Sequence, residues 1–350
     1  MRLLIATRLP FLSVTLVAVL LGLAGAVWDD VPIHAGNAIL TLLFALVAHA
    51  GGNVVNDYYD ALNGCDAAES DRITPFTGGS RMIQNGILSQ KTIGVFGYAL
   101  LASVVPVGLW LTHQSGSGLL LIGLVGLLCA WAYSAPPLKL QSRGLGELGI
   151  ISGWLMVVIG TDFVQRHAFS ITPLVVGLSL AFLVANILYI NQFPDIRADR
   201  VAHKYTVIVR LGLLRARWGY LALLLAGYGW LALMVLEQHL PLSALLALMP
   251  MAPGPGWPVA AHCPATPGGR RHLVCERQAR AHQLGFCPGQ CWCATAGSHP
   301  PWRRAAPCPA CARGRAYACA CCPAQWLFAV AAASTAFAAV ALAAGRGTWA

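Results

Sequence analysis

The residues best suited to chemistry form a short polar cluster at the end of an apolar run. Asn53, Asp57 and Asp60 end or follow the run 36–55, which is long enough to cross a bilayer because a spanning helix needs about 20 apolar residues. In a helix these side chains lie at positions i, i+4 and i+7, on one face. Carboxylates at the edge of hydrocarbon are costly and mark function. Oxygen-bearing side chains of this kind are ligands for Mg²⁺, so the cluster predicts a magnesium site.

The same pattern returns later in the chain. Asn191, Asp195 and Asp199 follow the apolar run 171–190 and lie at i, i+4 and i+8 of a second predicted helix. One such cluster is compatible with a helix end that simply enters water. Two matched clusters at the ends of two predicted spans indicate a shared function instead.

The composition is that of a membrane protein. The 350 residues are 57% hydrophobic and only 10% charged, whereas a soluble domain typically carries about 25% charged residues. The first apolar run is followed by Asp29 and Asp30 and not by a small-residue cleavage site, so we expect a retained span. The net charge of +10 would suit nucleic acid, but nine of the 23 Lys and Arg lie beyond residue 250. The others follow a membrane pattern, and no nucleic-acid partner is expected.

The apolar runs predict an all-α polytopic membrane protein, a bundle of about nine transmembrane helices around a central cavity. Thirteen Lys and Arg fall in alternate loops, whereas the opposite loops hold only Arg166. Cytoplasmic loops are enriched in Lys and Arg, so the N-terminus and both acidic clusters are predicted to be cytoplasmic, in a bacterial inner (plasma) membrane. The runs are 10–28, 36–56, 92–112, 117–134, 147–165, 171–191, 216–236, 240–250 and 326–345.

Each long cytoplasmic loop combines acids with bases. The first holds Asp66, Arg72, Arg81 and the pair Gly78-Gly79, whose free N–H groups could cradle an anion. The second loop contains Lys204. Acids alone suggest metal binding, whereas acids with bases suggest a metal-bound polyanion such as a phosphate ester.

A third polar element lies between the two loops. Tyr133 precedes Pro136-Pro137, which ends the fourth predicted helix, and Lys139 and Arg143 follow at the same membrane face as the acids. Both bases are also compatible with positive-inside topology alone.

These motifs together resemble the UbiA superfamily of intramembrane aromatic prenyltransferases, over about residues 1–240. The step at 63–66 and the segments 193–195 and 209–212 resemble its 1,4-dihydroxy-2-naphthoate prenyltransferase branch, which acts in menaquinone synthesis. The family spaces its Tyr-x-x-x-Lys element more closely than Tyr133 and Lys139 are spaced here. The motifs that carry the resemblance are Asn53…Asn56-Asp57-x-x-Asp60 with Asp66, Asp195-x-x-x-Asp199-x-x-x-x-Lys204 and Arg143-Gly-Leu-Gly-Glu147.

The resemblance implies Mg²⁺-dependent transfer of a polyprenyl group from a polyprenyl diphosphate to an aromatic acceptor inside the lipid bilayer. It implies that Asp57, Asp60, Asp195 and Asp199 act in catalysis and, with Asn53 and Asn191, hold the metal, while Asp66 or Asp71 positions or deprotonates the acceptor hydroxyl group. The candidate substrate-binding residues are Lys204, Arg143, Lys139, Arg72, Arg81 and Tyr133. The alternatives are 4-hydroxybenzoate or another acceptor of the superfamily, a membrane transporter and a catalytically inactive homologue.

The stretch 251–325 does not continue the pattern of residues 1–250. It holds ten of the 12 cysteines and a single acid, Glu276, and it shows no helical periodicity. A metal module and a disulfide-rich periplasmic loop are possible interpretations. We favour a third, a shifted reading frame that leaves the stretch irregular and without an evolved fold, followed by a possible last transmembrane helix at 326–345.

Overall fold

The computed structural model describes residues 2–69 and 77–251, which form helices and connecting turns with no strand among them. The predicted all-α class is confirmed. Two 3₁₀ helices, Leu140–Arg143 and Leu242–Met251, accompany ten α-helices. In chain order the α-helices are α1 (Arg2–Ala6), α2 (Leu9–Trp28), α3 (Ala35–Leu62), α4 (Cys65–Ala68), α5 (Gln90–Ser115), α6 (Gly118–Ala132), α7 (Gly146–Arg166), α8 (Thr172–Val201), α9 (Val207–Leu211) and α10 (Leu213–Leu236).

Six of these helices, α2, α3, α5, α7, α8 and α10, are long and apolar enough to cross a membrane. The shorter apolar helix α6 is the seventh, and all seven coincide with the first seven predicted runs. The eighth run, 240–250, overlaps the second 3₁₀ helix, Leu242–Met251. Residues from 252 onward lie outside the described residues, so the domain limits predicted at 250 and 325 and the ninth helix stay predictions.

Helix α8 is the central helix of the bundle. Within its apolar window 78% of the residues are buried, against 22–56% in the other five long helices. It packs against α2, α7 and α10, while α3 packs mainly against α5. The second acidic cluster therefore projects from the most enclosed element of the fold.

Small residues let the helices that carry the site approach closely. A Cβ atom on Gly97 of α5 would lie 3.1 Å from the backbone nitrogen of Val55 on α3, and one on Gly22 of α2 would lie 2.6 Å from the carbonyl oxygen of Val158 on α7. Helices in lipid associate largely through such close packing. These two contacts fix α3 and α7 against their neighbours.

Candidate active site

Lys204 joins the two acidic clusters at one end of the bundle. Its Nζ lies 3.1 Å from Asp60 Oδ1 and 3.3 Å from Asp199 Oδ1, and all three residues are buried. Burial alone would lower the pKa of Lys204, but the Asp60 and Asp199 carboxylates outweigh burial and hold this pKa well above its ordinary value. A permanent ammonium thus lies between the C-terminal ends of α3 and α8.

Arg8 offsets negative charge in the first acidic cluster, where it pairs with Asp57. Its Nη2 forms an ion pair with Asp57 and donates to Asn56 Oδ1 at 3.2 Å. The second oxygen of Asp57 accepts from the backbone nitrogen of Ser80 at 3.0 Å. Burial would lower the pKa of Arg8, but the surrounding carboxylates, Asp57 first, raise it overall. The buried Asp57 carboxylate is therefore paired on both oxygens.

Amide side chains hold Asp60 in place. Asn56 Nδ2 donates to Asp60 Oδ2 and to Ser134 Oγ, each at 3.0 Å. Gln141 Nε2 donates to Ser134 Oγ at 3.1 Å and to Asp60 Oδ1 at 3.3 Å. The connection between α6 and α7 thus fixes the carboxylate that Lys204 contacts.

The glycine pair of the first loop packs directly on the carboxylates. Gly78 and Gly79 have φ of 73° and 69°, and a Cβ atom on Gly79 would lie 2.7 Å from Asp66 Oδ2 and 3.0 Å from Asp57 Oδ1. Only a residue without a side chain fits there, in a conformation that glycine adopts freely. Asp66 also accepts from Gln84 Nε2 at 3.2 Å, and Arg81 Nη1 donates to its backbone carbonyl oxygen.

The crowding of carboxyl groups changes the pKa of Asp66. Burial first, and then the negative charges of Asp60 and Asp57, raise the pKa of Asp66 to about 7. A carboxyl group in this position gains from a nearby cation, because a positive charge favours its ionised form.

Several buried oxygens of the second cluster have no donor. Asp195 Oδ1, Asn191 Oδ1 and Gln192 Oε1 have no hydrogen-bond partner within residues 2–69 and 77–251. The carboxyl groups of Asp195 and Glu69 are hydrogen-bonded to each other. A buried oxygen without a hydrogen-bond partner lowers the stability of the folded state. The paired carboxyl groups of Asp195 and Glu69, with the unpartnered oxygens beside them, are oxygen ligands of the kind that Mg²⁺ prefers. The oxygen chemistry of these residues therefore fits a magnesium ion, although within residues 2–69 and 77–251 no three His, Cys, Asp or Glu side chains are grouped closely enough to hold one.

A cavity of about 510 Å³ opens from these polar groups into the bundle. It runs between α2, α3, α5, α6, α7 and α8, and its walls are mostly apolar. Leu111, Leu119 and Val164, near the far ends of α5, α6 and α7, line its other end. We call the end of the cavity that the charged groups line its polar head. The remaining, mostly apolar part of the cavity is suited to an apolar chain.

The structure brings most of the predicted site residues together. Asp57 lies beside the cavity wall, bonded to Arg8, and Asn53 Nδ2 donates to the carbonyl oxygen of Thr7 at 3.1 Å. The predicted residues that line the cavity are Asn53, Asp60, Asp66, Tyr133, Asn191, Asp195, Asp199 and Lys204.

The predicted bases are not all near the cavity. Lys139 and Arg143 are exposed and do not line it, and Arg143 Nη2 donates to the carbonyl oxygen of Pro137 at 2.8 Å. Within the described part of the chain, Arg81 contacts the site through the backbone carbonyl oxygen of Asp66. Arg72 lies outside the described residues, as does the acid Asp71.

Several residues that line the cavity at its polar end were not predicted as site residues, among them Arg8, Cys65, Glu69, Gln141 and Gln192. Cys65 Sγ donates to Asp199 Oδ1 at 3.2 Å, and burial raises the pKa of its thiol. Arg8 entered the sequence argument only as a topology charge. Its position just before the first apolar run was a usable signal, because that end of α2 must lie at the same membrane face as the acids.

The fold and the site define a helical membrane protein with a charged, oxygen-rich head on an apolar cavity. The sequence model of the UbiA prenyltransferase family matches residues 12–262, and the chain belongs to that family. The predicted family is thereby confirmed.

Relatives with known names agree with the predicted branch. The chain is 30% identical over 190 residues to a 1,4-dihydroxy-2-naphthoate octaprenyltransferase of Mycobacterium leprae, covering 54% of this chain and 62% of that protein. It is 31% identical over 207 residues to the Escherichia coli protein of the same name, covering 56% and 64%. It is also 27% identical over 239 residues to UbiA prenyltransferase domain-containing protein 1 of Dictyostelium discoideum, covering 66% and 70%. The chain thus spans just under two thirds of the length of these two octaprenyltransferases.

Solved structures share the fold. A UbiA homolog from Archaeoglobus fulgidus bound to DMAPP and Mg²⁺ has a TM-score of 0.53 at 17% identity, covering 68% of this chain and 78% of that chain. The homolog bound to GPP and Mg²⁺ has a TM-score of 0.57 at 14% identity, covering 98% and 100%. At this identity the likeness concerns the fold alone.

Proposed function

We propose that this protein is a Mg²⁺-dependent prenyltransferase that moves a polyprenyl group from its diphosphate to 1,4-dihydroxy-2-naphthoate, as in menaquinone biosynthesis. The observation that carries the proposal is the position of Lys204, between two acidic clusters at the head of an apolar cavity. Acids for a metal, bases for a polyanion and an apolar wall for a prenyl tail meet in one site. The named relatives support the acceptor, and the ligands of the solved homologues support the diphosphate and the metal.

The polar head supplies groups for a diphosphate. Asp57, Asp60, Asp195 and Asp199, with the amide oxygens of Asn53 and Asn191, would hold magnesium, and its positive charge would offset that of the diphosphate. Lys204 and Arg8 are positively charged, and both line the polar end of the cavity. Charge that builds up on the leaving diphosphate as its C–O bond breaks is stabilised by such preorganised cations.

The apolar cavity protects the reacting carbon. When the C–O bond ionises, an allylic cation forms that water would capture. The mostly apolar walls of the cavity exclude water from that position, and the Tyr133 ring, which lines the cavity, offers a face that stabilises positive charge. Asp66 is available to position the hydroxyl group of the acceptor, whose ring carbon forms the new C–C bond with the allylic carbon and then releases its carboxyl group as CO₂.

A location in a membrane follows from the apolar character of the prenyl substrate and of the product. The prenyl tail is apolar, and a prenylated naphthoate would leave into lipid. We propose the bacterial inner membrane with the charged end of the bundle toward the cytoplasm, since basic residues concentrate in the loops at that end.

The test uses membranes that contain the full chain, a labelled prenyl diphosphate, Mg²⁺ and a panel of aromatic acceptors. Lipid-soluble product with dihydroxynaphthoate, lost when the metal is chelated, is expected. Product with 4-hydroxybenzoate alone would transfer the assignment to that acceptor. No product with any acceptor, from protein that inserts normally, would favour an inactive homologue or a transporter. Asp195→Ala is expected to abolish turnover without loss of membrane insertion.

A further inference from the structure

A polar stripe on α3 continues past the acidic cluster into the membrane. His49, Asn53, Asn56 and Asp60 follow one another at steps of four, three and four residues, and all of them line the cavity. At a rise of about 1.5 Å per residue, His49 lies roughly 10 Å below Asn56 along the helix axis. Ionisable side chains at this depth are rare and mark function by default.

His49 is held in one orientation by two other helices. Its Nδ1 lies 2.8 Å from Thr15 Oγ1 on α2, and Thr15 is fully buried. The ring of Trp154 on α7 meets the imidazole edge to face, with centroids 5.0 Å apart. Both neighbours also line the cavity. Because Thr15 engages Nδ1, Nε2 is the nitrogen of the imidazole that remains for a ligand.

That other nitrogen is available to a ligand. Within residues 2–69 and 77–251, Nε2 of His49 makes no hydrogen bond, and it is not among the fully enclosed polar atoms that lack a partner. The imidazole therefore offers one free polar atom to a ligand, in a cavity whose walls are mostly apolar. A hydrocarbon tail cannot form a hydrogen bond with Nε2, whereas an oxygen substituent on an aromatic ring can.

The space beside His49 suits a flat ligand. Gly52 on α3 and Gly153 on α7 line the cavity next to His49 and Trp154, and Cβ atoms there would meet Ala130 and Cys129 on α6 at 3.6 and 3.5 Å. Two glycines, which add no side-chain atoms, therefore lie in the cavity wall beside His49 and Trp154 and pack closely against α6. A ring fits against such a surface, with Trp154 beside it for aromatic contact.

On the basis of the proposed function, we infer that His49, oriented by Thr15 and Trp154, binds an oxygen substituent of the aromatic acceptor. The ring then lies between His49 and the diphosphate-binding end of the cavity, with its nucleophilic carbon toward the allylic carbon. Thr15 is a positioning residue in this assignment, because it acts through the imidazole. The ligand class is a hydroxylated, fused or single aromatic ring.

Steady-state kinetics with each substrate varied in turn tests the assignment. His49→Leu removes the hydrogen bond and is expected to raise the KM for the aromatic acceptor by about tenfold or more, the effect of one lost hydrogen bond to a bound ligand. The KM for the prenyl diphosphate should stay within about twofold. His49→Gln, which keeps a polar group at this position, should restore much of the acceptor affinity.

Two variants that remove a hydroxyl group separate the role of Thr15 from a general effect of losing a hydroxyl group in the bundle. Thr15→Val should raise the acceptor KM in the same direction as His49→Leu, but less. Ser103→Ala is the control, because Ser103 does not line the cavity and its hydroxyl group donates to the carbonyl oxygen of Leu100 in its own helix. Ser103→Ala should leave both KM values unchanged.

The outcomes distinguish this assignment from the proposed function. Turnover by the wild-type protein with an unchanged acceptor KM in His49→Leu would overturn the assignment of His49 and leave the prenyltransferase function standing. A parallel rise of both KM values in His49→Leu, with no rescue by His49→Gln, would also overturn it, since a collapsed cavity affects both substrates. Absence of product from the wild-type protein would overturn the proposed function itself.

Discussion

Arg8 and Asp57 form an ion pair across 49 residues of sequence, at the point where α1 and α2 meet the C-terminal half of α3. The pair is largely enclosed, with 19% of the Arg8 side chain and 4% of the Asp57 side chain exposed. Without a metal, the guanidinium group is the positive charge that compensates this carboxylate. Arg8 therefore occupies an oxygen that the proposed function assigns to Mg²⁺.

We expect Arg8→Gln to make the protein less stable without metal and more responsive to Mg²⁺. Removing one partner of a buried pair costs roughly 3 kcal/mol, because the other charge stays buried and uncompensated. Mg²⁺ would then supply the missing charge without competing with the guanidinium group, and a ligand that binds the folded state stabilises it. Thermal unfolding in detergent, with chelator and then with Mg²⁺, measures both effects.

Arg2→Gln is the matched control, because it removes the same charge from an exposed position of α1. Its unfolding temperature should equal that of the wild-type protein in both conditions. An Arg8→Gln variant whose response to Mg²⁺ is no greater than that of Arg2→Gln would contradict the proposed competition.

The acidic clusters could be predicted from the sequence because their geometry is local. Asp57 and Asp60 share a helix, as do Asp195 and Asp199, so helical periodicity alone places each pair on neighbouring turns. The apolar runs then fixed which end of each helix was polar. Arg8 could not be assigned in this way, since its partner lies on another helix and the pairing depends on how α2 packs beside α3.

The basic residues show the limit of the same reasoning. Lys204 and Lys139 are both predicted for the same membrane face, yet Lys204 is buried among carboxylates whereas Lys139 is exposed. Topology determines the face and not the distance from the helix axis. The lysine that follows α8 turns inward because Asp199 and Asp60 are there to compensate it, and a loop sequence carries no periodicity that would reveal this.

We expect Lys204→Gln to lower kcat by about 10²- to 10³-fold, the usual effect of removing one preorganised donor from a site of developing charge. Glutamine keeps a hydrogen-bond donor, but it is one bond shorter and loses the charge that bridges Asp60 and Asp199. The rate of lipid product formation at saturating Mg²⁺ measures the effect.

Lys139→Gln provides the comparison for Lys204→Gln. It is the same substitution at the same end of the bundle, but at an exposed residue that does not line the cavity. A change in kcat of less than about threefold is expected, within the weak effect of exposed charges. Equal losses in the two variants would show that net charge at this end, and not the position of Lys204, determines the rate.

We expect the metal-free protein to lose stability as the pH rises from about 5 to 8, and Asp66→Asn to lose less. The pKa of Asp66 is raised to about 7 by burial and by Asp60 and Asp57, whereas the unfolded chain ionises near its ordinary value. Between those two values the folded state binds more protons than the unfolded state, so stability falls with pH until the folded pKa is passed. A tenfold difference in proton affinity between the two states corresponds to about 1.4 kcal/mol of stability.

Unfolding temperatures of the two proteins, taken across this pH range in chelator, test the expectation. The wild-type protein should be the less stable of the two at pH 8, and the difference should shrink toward pH 5. Parallel pH profiles for the wild-type protein and Asp66→Asn would show that Asp66 does not titrate in this range.

We expect Gly126→Leu to shorten the prenyl chain that the enzyme accepts. Gly126 lines the cavity on α6, six residues before the helix ends at Ala132, or about 9 Å from the polar head. A Cβ atom there would lie 3.7 Å from Met156 Cβ, an ordinary contact, so the rest of a leucine side chain can extend into the cavity without moving a helix. Product formation from dimethylallyl, geranyl and geranylgeranyl diphosphates should fall most for the longest chain, by about tenfold or more in kcat/KM.

Gly229→Leu on α10 is the control for Gly126→Leu, since Gly229 has open space around it but does not line the cavity. Its chain-length profile should match that of the wild-type protein, and an equal loss at all three lengths in Gly126→Leu would contradict a tail-binding role for this part of the cavity.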